Sequence, residues 1–569
     1  MQEHYALVIS TLRAIVGRKH VLVGHRRTLP FRRAFRGAGG PAVCVVRPGS
    51  LVALWKVLKA CVAADCVIVM QAANTSLTGG STPIALDNRR SVVINTRRLN
   101  QIRYLEKTNQ ILAHPGATLF DVEQTLQRVG RSPHSVIGSS CFGASVIGGV
   151  CNNSGGALVH RGPAYTELSL FARLKQDGEL ELVNHLDIAL GTTPEEILGR
   201  LDSDDFNDSR VNASDRRGSA SDYETIVRSI DQDSPARHNA DPRRLYEASG
   251  SAGKIAVFAV RVDSFPELER QSVTILGSKS PAAFAKWRRD VLTSPSPLPV
   301  SAEYLHKETL RLGVNYGRDT IRLIHWLGTS RLPTFFDLKR RVDGICESVG
   351  MRAGMLTDRL LQTLGRMTPN PIPKKLRTWL DEYDHLLIVT EAAGGAKPER
   401  RVGTQAEKTE LGVYRCNVDE AKRMALVRYA AAAAAVRYAT LKHDEVEDVI
   451  ALDIALKRND PNWFEELPDS ISRDLLGAHY YGHFLCHVFH QDYLVRKGVN
   501  LENLKRRLLE FINARGGVYP AEHNVGHYYH APEPLQAHYR ELDPLNAFNA
   551  GVGKMSTDKR YNERCCRHD

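Results

Sequence analysis

The sequence has 569 residues, more than one ordinary hydrophobic core accommodates, so we expect two or three domains. Hydrophobic residues make up 43% and charged residues 25%, which excludes a largely disordered chain, and the formal net charge is +12. The positive excess favours an anionic partner, such as a nucleic acid, an anionic membrane or small anionic substrates, with a generally basic proteome as the alternative.

The first residues predict an amphipathic helix and not a cleaved signal sequence, because Glu3 and Arg13 interrupt the apolar stretch of residues 1–17. The sequence contains no run of about 20 apolar residues, so we expect any membrane association to be peripheral. The ten cysteines lack paired metal-ligand spacing, and Cys565 and Cys566 are adjacent, which suits a reducing compartment better than a disulfide framework.

Residues from about 40 to 265 alternate short apolar runs with glycine-rich loops, which is typical of a mixed α and β domain. Residues 42–48 and 67–70 predict strands, and the apolar spacing over 51–64 predicts a helix between them. Residues 202–222 contain few large apolar side chains, and we interpret them as an exposed insertion.

The composition changes after residue 265. Glycine becomes sparser over 266–515, where helical spacing dominates and an alanine-rich helix is predicted around 421–441. The last stretch, 516–569, returns to loop motifs that contain Gly, Asn and His.

Two loops of small residues are candidates for binding a nucleotide cofactor. The first spans 72–81 and follows the strand predicted at 67–70, and the second spans 133–156. Glycines and small side chains let the backbone approach a ligand closely, and successive N–H groups can bind phosphate, although a simple surface turn is the alternative for the first loop. Neither loop has the G-x-G-x-x-G spacing, so a Rossmann site is not supported.

These loops, followed by residues 161–180 with an Asp177-Gly178 turn, resemble the FAD-binding domain of the vanillyl-alcohol oxidase type of flavoproteins. With YYGHFLCHVFHQDY (480–493) and YPAEHNVGH (519–527), the chain resembles the respiratory, quinone-dependent D-lactate dehydrogenases of bacteria, from about residue 40 to 555.

The resemblance implies an α+β fold in three parts. These are a PCMH-type FAD-binding domain over 1–265 (core about 38–210), a large α+β cap domain over 266–515 with a membrane-binding segment at about 307–390, and a C-terminal segment, 516–569, that returns to the FAD domain. It also implies FAD, and we expect noncovalent attachment because loop 72–81 contains no His or Cys. The residues implied to contact FAD are Ala72, Ala73, Asn74, Thr75, Ser76, Gly80, Ser81, Gly138, Ser145, Gly155 and Val257.

Two histidine-rich segments contain the candidate catalytic residues, which are His483, His490, Glu522 and His523. Several relatives bind a divalent metal through two such histidines and the Glu, but their inner G-D-G-N motif is replaced here by FLCHVF, so metal binding stays open. On one regular strand His490 would face away from His483. Neutral imidazole can accept a hydroxyl proton near neutral pH, so we predict His523, flanked by Glu522, as the base. The alternative is that these histidines only satisfy buried hydrogen bonds.

The substrate carboxylate needs a cation, preferably a guanidinium. The resemblance points to Arg428, at the head of the alanine-rich helix. The alternative is a solvated arginine at a helix end.

Residues 307–377 contain fourteen lysines and arginines against six acidic residues. A basic amphipathic helix is predicted here, with Lys339 to Arg341 beside an apolar face formed by Phe335, Leu338, Val342, Ile345 and Val349. Such helices bind anionic bilayers, and packing on the domain core is the alternative. We expect no nucleic-acid partner, because no aromatic-basic RNA motif or helix-turn-helix is present.

The function implied by the resemblance is that of a respiratory flavoenzyme. It would oxidise D-lactate to pyruvate, pass the hydride to FAD and the electrons to membrane quinone, and lie on the cytoplasmic face of the inner membrane as a peripheral protein. The residues leave two alternatives open: an FAD-dependent dehydrogenase of another D-2-hydroxy acid with a different acceptor, and a non-catalytic basic lipid- or nucleotide-binding protein.

Overall fold

Three β-sheets and the helices that cover them form the architecture of the residues that the structure describes. The computed structural model describes residues 2–34, 39–134, 143–268, 271–327, 339, 342–343, 355–392, 406 and 410–561. The α-helices of these residues are α1 Gln2–Val16, α2 His25–Arg32, α3 Leu51–Ala63, α4 Leu119–Gln127, α5 Val146–Cys151, α6 Pro194–Ser203, α7 Tyr223–Arg228, α8 Pro281–Thr293, α9 Lys307–Tyr316, α10 Arg318–Leu327, α11 Met355–Arg366, α12 Lys374–Leu380, α13 Val418–Leu441, α14 Asp469–Ser472, α15 Leu501–Ala514 and α16 Glu533–Leu542.

The first sheet contains the strands and helix predicted from the start of the chain. Its strands are β1 Val21–Leu22, β2 Cys44–Val46, β3 Val67–Gln71 and β4 Ser91–Asn95, in the order β1-β2-β4-β3. Strands β2, β3 and β4 run parallel and are buried, and α3 packs its apolar face beside them. The side chain of Ser50 begins α3 by accepting a hydrogen bond from the N–H of Ala53 at 3.0 Å.

The second sheet is antiparallel and follows along the chain. Its strands are β5 Ile102–Leu105, β6 Gln110–Ala113, β7 Arg131–Pro133, β8 Ser169–Leu174, β9 Leu180–Asn184 and β10 Ala256–Pro266, in the order β5-β6-β10-β8-β9, and β7 also pairs with β10. The C-terminal segment returns to the first sheet, because the N–H of Ile68 donates to the carbonyl of Ala547 at 2.8 Å and the N–H of Asn549 donates to the carbonyl of Ile68 at 2.8 Å.

The third sheet lies within 266–515, where helices are the more abundant element, as the helical spacing predicted, and it supplies the β part of the expected α+β cap. Its strands are β11 Gln271–Ser278, β12 Ser301–His306, β13 His385–Ala392, β14 Gly412–Arg415, β15 Val446–Ala455, β16 Leu475–His483 and β17 Val488–Arg496, in the antiparallel order β14-β11-β13-β12-β16-β17-β15. Strands β13 and β17 are buried along most of their length, so their sequences lack the strict alternation of a half-exposed strand.

The interpretation of 202–222 as an exposed insertion was also wrong in part. Phe206 and Val211 are buried in the core beside the first sheet, and the guanidinium of Arg217 pairs with Glu167 at 2.7 Å. Apolar anchors and several ion pairs, among them Arg103–Asp204 at 2.7 Å and Arg216–Asp187 at 3.1 Å, hold a segment whose remaining residues are largely polar.

Candidate active site

The loop after β3 is closed by its own side chains. The amide of Gln71 donates to the carbonyls of Phe31 and Ser81 at 2.8 and 2.7 Å, and the hydroxyl of Ser81 donates to Oδ1 of Asn74 at 3.0 Å. Asn74 has a positive φ of 58°, which turns the backbone inside the loop. The predicted FAD contacts in this loop are therefore held together in one turn, half-buried: Ala72, Ala73, Asn74, Thr75, Ser76, Gly80 and Ser81.

The second group of predicted FAD contacts surrounds α5. Ser145 caps α5 by accepting a hydrogen bond from the N–H of Gly148 at 3.0 Å, and Val257 of β10 is buried in the same apolar cluster as α5. Gly155 follows a short turn after α5. Gly138 lies outside the described residues.

A cavity beside α5 tests whether this region fits a flavin nucleotide. It is lined mainly by apolar side chains of α4, α5, β6 and β10, and Gly149 of α5 also lines it. His134 also lines it, and the Nε2 atom of His134 is buried with no hydrogen-bond partner among the described residues. The buried Nε2 atom of His134 needs a hydrogen-bond partner, and a cofactor with polar ring edges can supply one, so the chemistry of these residues fits FAD.

The segment from 519 to 531 joins both loops. The N–H of His527 donates to the carbonyl of Thr78 at 3.0 Å, and Gly526, with a φ of 50°, lies so close that a Cβ there would overlap the same carbonyl. Glu522 lies directly against Gly155. The predicted catalytic pair Glu522-His523 therefore lies beside the predicted cofactor loops.

His483 and His490 lie on the two arms of a hairpin, which corrects the expectation that they would face opposite sides. The chain reverses through the 3₁₀ turn Phe484–Cys486, and β16 and β17 then pair side by side, with His483 opposite Val488 and His490 opposite Tyr481. Both imidazoles turn toward one carboxylate, because their Nε2 atoms lie 3.2 Å and 3.6 Å from Oε2 of Glu522.

A buried network of opposite charges surrounds His483. Its Nδ1 lies 2.6 Å from Oε1 of Glu303, and the other oxygen of Glu303 accepts from Arg428 at 2.9 Å. The guanidinium of Arg237 donates to Oε1 of Glu522 and to the carbonyl of Gly156. Arg428 lies inside α13 with its side chain 14% exposed, so the alternative of a solvated helix-end arginine is wrong.

The pKa values in this network follow from its charges. Burial lowers the pKa of His483, but the Glu303 and Glu522 carboxylates outweigh that effect and raise its pKa to about 10, so this imidazole is charged at neutral pH. Burial raises the pKa of Glu522, but His483 and Arg237 hold it well below its usual range. Burial lowers the pKa of His490 to about 3, so this imidazole is neutral.

His523 lies outside that network and has its own carboxylate partner. Its Nδ1 lies 2.9 Å from Oδ2 of Asp453 in β15, and the same carboxylate accepts from the backbone N–H groups of Glu522 and His523 at 2.6 and 3.2 Å. Burial raises the pKa of Asp453, but His523 and the N–H of Glu522 outweigh that effect and lower it. An ionised Asp453 holds the proton on Nδ1, which leaves the acceptor lone pair on Nε2.

His483, His490 and Glu522 also meet the geometric requirement for a metal site, because each offers a ligand atom within 4.8 Å of the others. Arg237 donates to Oε1 of Glu522, and Oε2 lies toward the two imidazoles. Metal binding by these three residues stays a prediction.

Sequence reasoning missed three residues of this site. Asp453 is an acid inside the apolar run VIALDIAL, and Glu303 lies in the strand SAEYLH, so an acid within a buried strand was the available signal for both. Arg237 lies in a polar loop without any such signal.

Comparison with known proteins bears on the identity of this site. The family described as D-lactate dehydrogenase, membrane binding, matches residues 273–561, and the family described as FAD binding domain matches residues 42–180. A protein of Escherichia coli (strain K12) named quinone-dependent D-lactate dehydrogenase is 49% identical over 557 residues, 98% of each chain. The chain belongs to this family of dehydrogenases.

Other members of the quinone-dependent D-lactate dehydrogenase family are similar over the same length. The chain is 45% identical to the Haemophilus influenzae protein, over 97% of this chain and 99% of that one, and 39% identical to the Corynebacterium glutamicum protein, over 97% of both. Among solved structures, p-cresol methylhydroxylase with substrate bound has a TM-score of 0.57 at 11% identity, covering 99% of this chain and 98% of that chain, which shows the PCMH-type fold.

These findings confirm the expected α+β fold with a PCMH-type FAD-binding domain, the FAD-dependent enzyme class and FAD as the cofactor, and noncovalent attachment is consistent with the family. The expected membrane-binding region is present, because residues 273–561 match the family described as membrane binding. No helix in the described part of the chain has the length and apolarity needed to span a bilayer. The roles of individual site residues stay predictions.

We predict that Gly155→Ala lowers the rate of flavin reduction by about 100-fold. The new methyl group would overlap Glu522, whose carboxylate cannot move away without leaving Arg237 and His483. A shift of about 1 Å in an active-site group can lower the rate by about 100-fold. Gly199→Ala is the control, since a Cβ at that helical position meets no atom within 4 Å. Stopped-flow reduction of the flavin measures both, and equal rates for the two variants would contradict the prediction.

Proposed function

We propose that this chain oxidises D-lactate to pyruvate with FAD as the hydride acceptor and membrane quinone as the electron acceptor. The observation that supports the proposal most directly is the His523–Asp453 pair beside the buried Glu522 network, against the Gly155 loop. In this reaction the hydroxyl group of D-lactate loses a proton and the C2 carbon of D-lactate loses a hydride.

His523 accepts the hydroxyl proton at Nε2. Asp453 holds the imidazole in the tautomer that can accept and stabilises the imidazolium that results. His483 is already protonated and His490 has a strongly lowered pKa, so neither matches this role at neutral pH.

Two arginines of the network bind the substrate carboxylate. Nε and Nη1 of Arg237 and Nε of Arg428 are buried with no hydrogen-bond partner among the described residues. Each guanidinium is fixed on one side by Glu522 or Glu303 and can donate to a carboxylate on another side. The paired acids fix the positions of the arginines, which orients D-lactate toward His523.

FAD would be held by the predicted residues of loop 72–81, by Gly138, Ser145 and Gly155, and by Val257. When bound, FAD supplies a ring that takes up the hydride from C2. We infer that residues 1–265 and 516–569 form the FAD-binding unit and that 266–515 form the cap. The return of Ala547 and Asn549 to β3 supports this division.

We also propose that the protein lies on the cytoplasmic face of the inner membrane, docked to anionic lipid, and binds no nucleic acid. The cation excess of residues 307–377 supports docking, and membrane quinone is then within reach of the enzyme. The amphipathic helix predicted around Phe335 to Val349 lies mostly outside the described residues.

The test is anaerobic bleaching of the purified holoprotein. We expect oxidised-flavin absorbance to bleach with D-lactate and not with L-lactate, and to return when a soluble quinone is added. Bleaching only by another D-2-hydroxy acid would favour a different substrate. A protein that binds FAD but is bleached by none of these acids would be a non-catalytic binding protein and would refute the proposal.

A further inference from the structure

Helix α11 exposes its apolar face and buries its polar face. Three leucines and a methionine point outward: Leu356, Leu360, Leu364 and Met367 are 45%, 57%, 59% and 80% exposed. Spacings of four and three residues place them on one face of the helix. The buried residues of the same helix are Asp358, Gln362 and Gly365. A helix in contact with water normally buries its apolar face, so α11 has the pattern of a helix that contacts an apolar medium.

The inward face of α11 is held by polar contacts. Asp358 lies 3.4 Å from both Arg437 and Lys339, and the amide of Gln362 donates to the carbonyl of Asn315 at 2.8 Å. Gly365 packs closely on Asp319. Turning the leucines inward would bury them among charges and would break these contacts, so the outward direction of the stripe is fixed.

Cations surround the stripe. Exposed side chains of Arg359 and Arg366 lie on one flank of α11, and those of Lys374, Lys375 and Arg377 follow on α12. Within the described part of the chain, none of these five takes part in an ion pair. The clustering extends to α10, because burial and then the charges of Arg322 and Arg377 lower the pKa of Arg318.

We propose that the outer face of α11 inserts into an anionic bilayer, with Leu356, Leu360, Leu364 and Met367 among the acyl chains and the five cations at the phosphates. This rests on the membrane association in the proposed function and deepens it, since docking by charge alone requires no apolar insertion. The combination of an apolar stripe with flanking cations matches an anionic lipid surface. A second copy of the chain fits worse, because a two-fold contact would bring the same cations together.

The test compares two variants of the FAD-loaded full chain. One carries Leu356→Gln, Leu360→Gln and Leu364→Gln, and the control carries Leu7→Gln, which removes a 67% exposed leucine from α1. Binding is measured by flotation with phosphatidylcholine vesicles containing phosphatidylglycerol, at low and high salt. We expect the triple variant to lose at least about 100-fold in partition coefficient at both salt concentrations, and Leu7→Gln to bind as the unmodified protein does.

A second readout locates the helix in the bilayer. Leu360→Trp should shift its emission to shorter wavelength on vesicles and be quenched by brominated acyl chains, whereas Leu7→Trp should do neither. Unchanged binding by the triple variant, or an unshifted emission from Leu360→Trp, would overturn the inference and leave docking to charge alone. So would a dimer that the triple substitution dissociates. Bleaching by D-lactate is measured in parallel, so failure of the proposed function is seen separately.

Discussion

His523→Ala is expected to slow reduction of the flavin by D-lactate by about 10²–10⁴-fold, while FAD content stays normal. The imidazole is the proton acceptor, and its removal leaves only water to take the hydroxyl proton. Asp453→Asn should slow the same step, because an amide can donate to Nδ1 and favours the tautomer with the proton on Nε2. Stopped-flow absorbance under anaerobic conditions measures both variants.

Two controls separate this role from general damage to the site. His530→Ala removes an exposed histidine of the same segment, and Asp448→Asn neutralises an exposed acid of the same strand, so both should keep the normal rate. Added imidazole should restore part of the rate of His523→Ala and none of the rate of Asp453→Asn. Bleaching of His523→Ala at full speed would remove this residue from the mechanism.

Arg237→Met is expected to lower the free energy of unfolding by about 3–5 kcal/mol and to abolish most of the activity. The side chain of Arg237 is only 2% exposed, and its loss leaves the Glu522 carboxylate buried with less compensation. Arg237→Met combined with Glu522→Gln should recover part of the stability, because no buried charge is then left without its partner. The double variant should recover none of the activity. Urea denaturation of the holoprotein measures the stability of each variant.

The control for this prediction is Arg289→Met. Arg289 pairs with Asp231 at 2.6 Å, but the two side chains are 57% and 77% exposed, so breaking the pair should cost about 0–1 kcal/mol. If Arg237→Met unfolded at the same urea concentration as Arg289→Met, the predicted loss of stability would be contradicted.

Local patterns were sufficient for part of the fold and of the site. Apolar spacing within about fifteen positions was enough to predict the strands at 42–48 and 67–70, the helix at 51–64 and the alanine-rich helix. The FAD family was recognisable because its loops are continuous in sequence.

Contacts between distant strands were not predictable in the same way. The expectation that His490 faces away from His483 failed because it assumed one strand where the chain makes a hairpin. Glu303 reaches His483 across 180 residues, and Arg237 reaches Glu522 across 285. No local pattern in these segments encodes such a partnership, since it depends on the order of strands in the third sheet and on the loops that the fold brings beside it.

Family, cofactor and the general character of the basic region can be read from the chain, because each depends on residue types that lie near one another along it. The tertiary structure alone selects Asp453 as the partner of His523 and turns the leucines of α11 outward. An amphipathic pattern defines two faces of a helix but not which one meets the protein. In α11 that choice is made by Asp358 and its partners, which come from other elements.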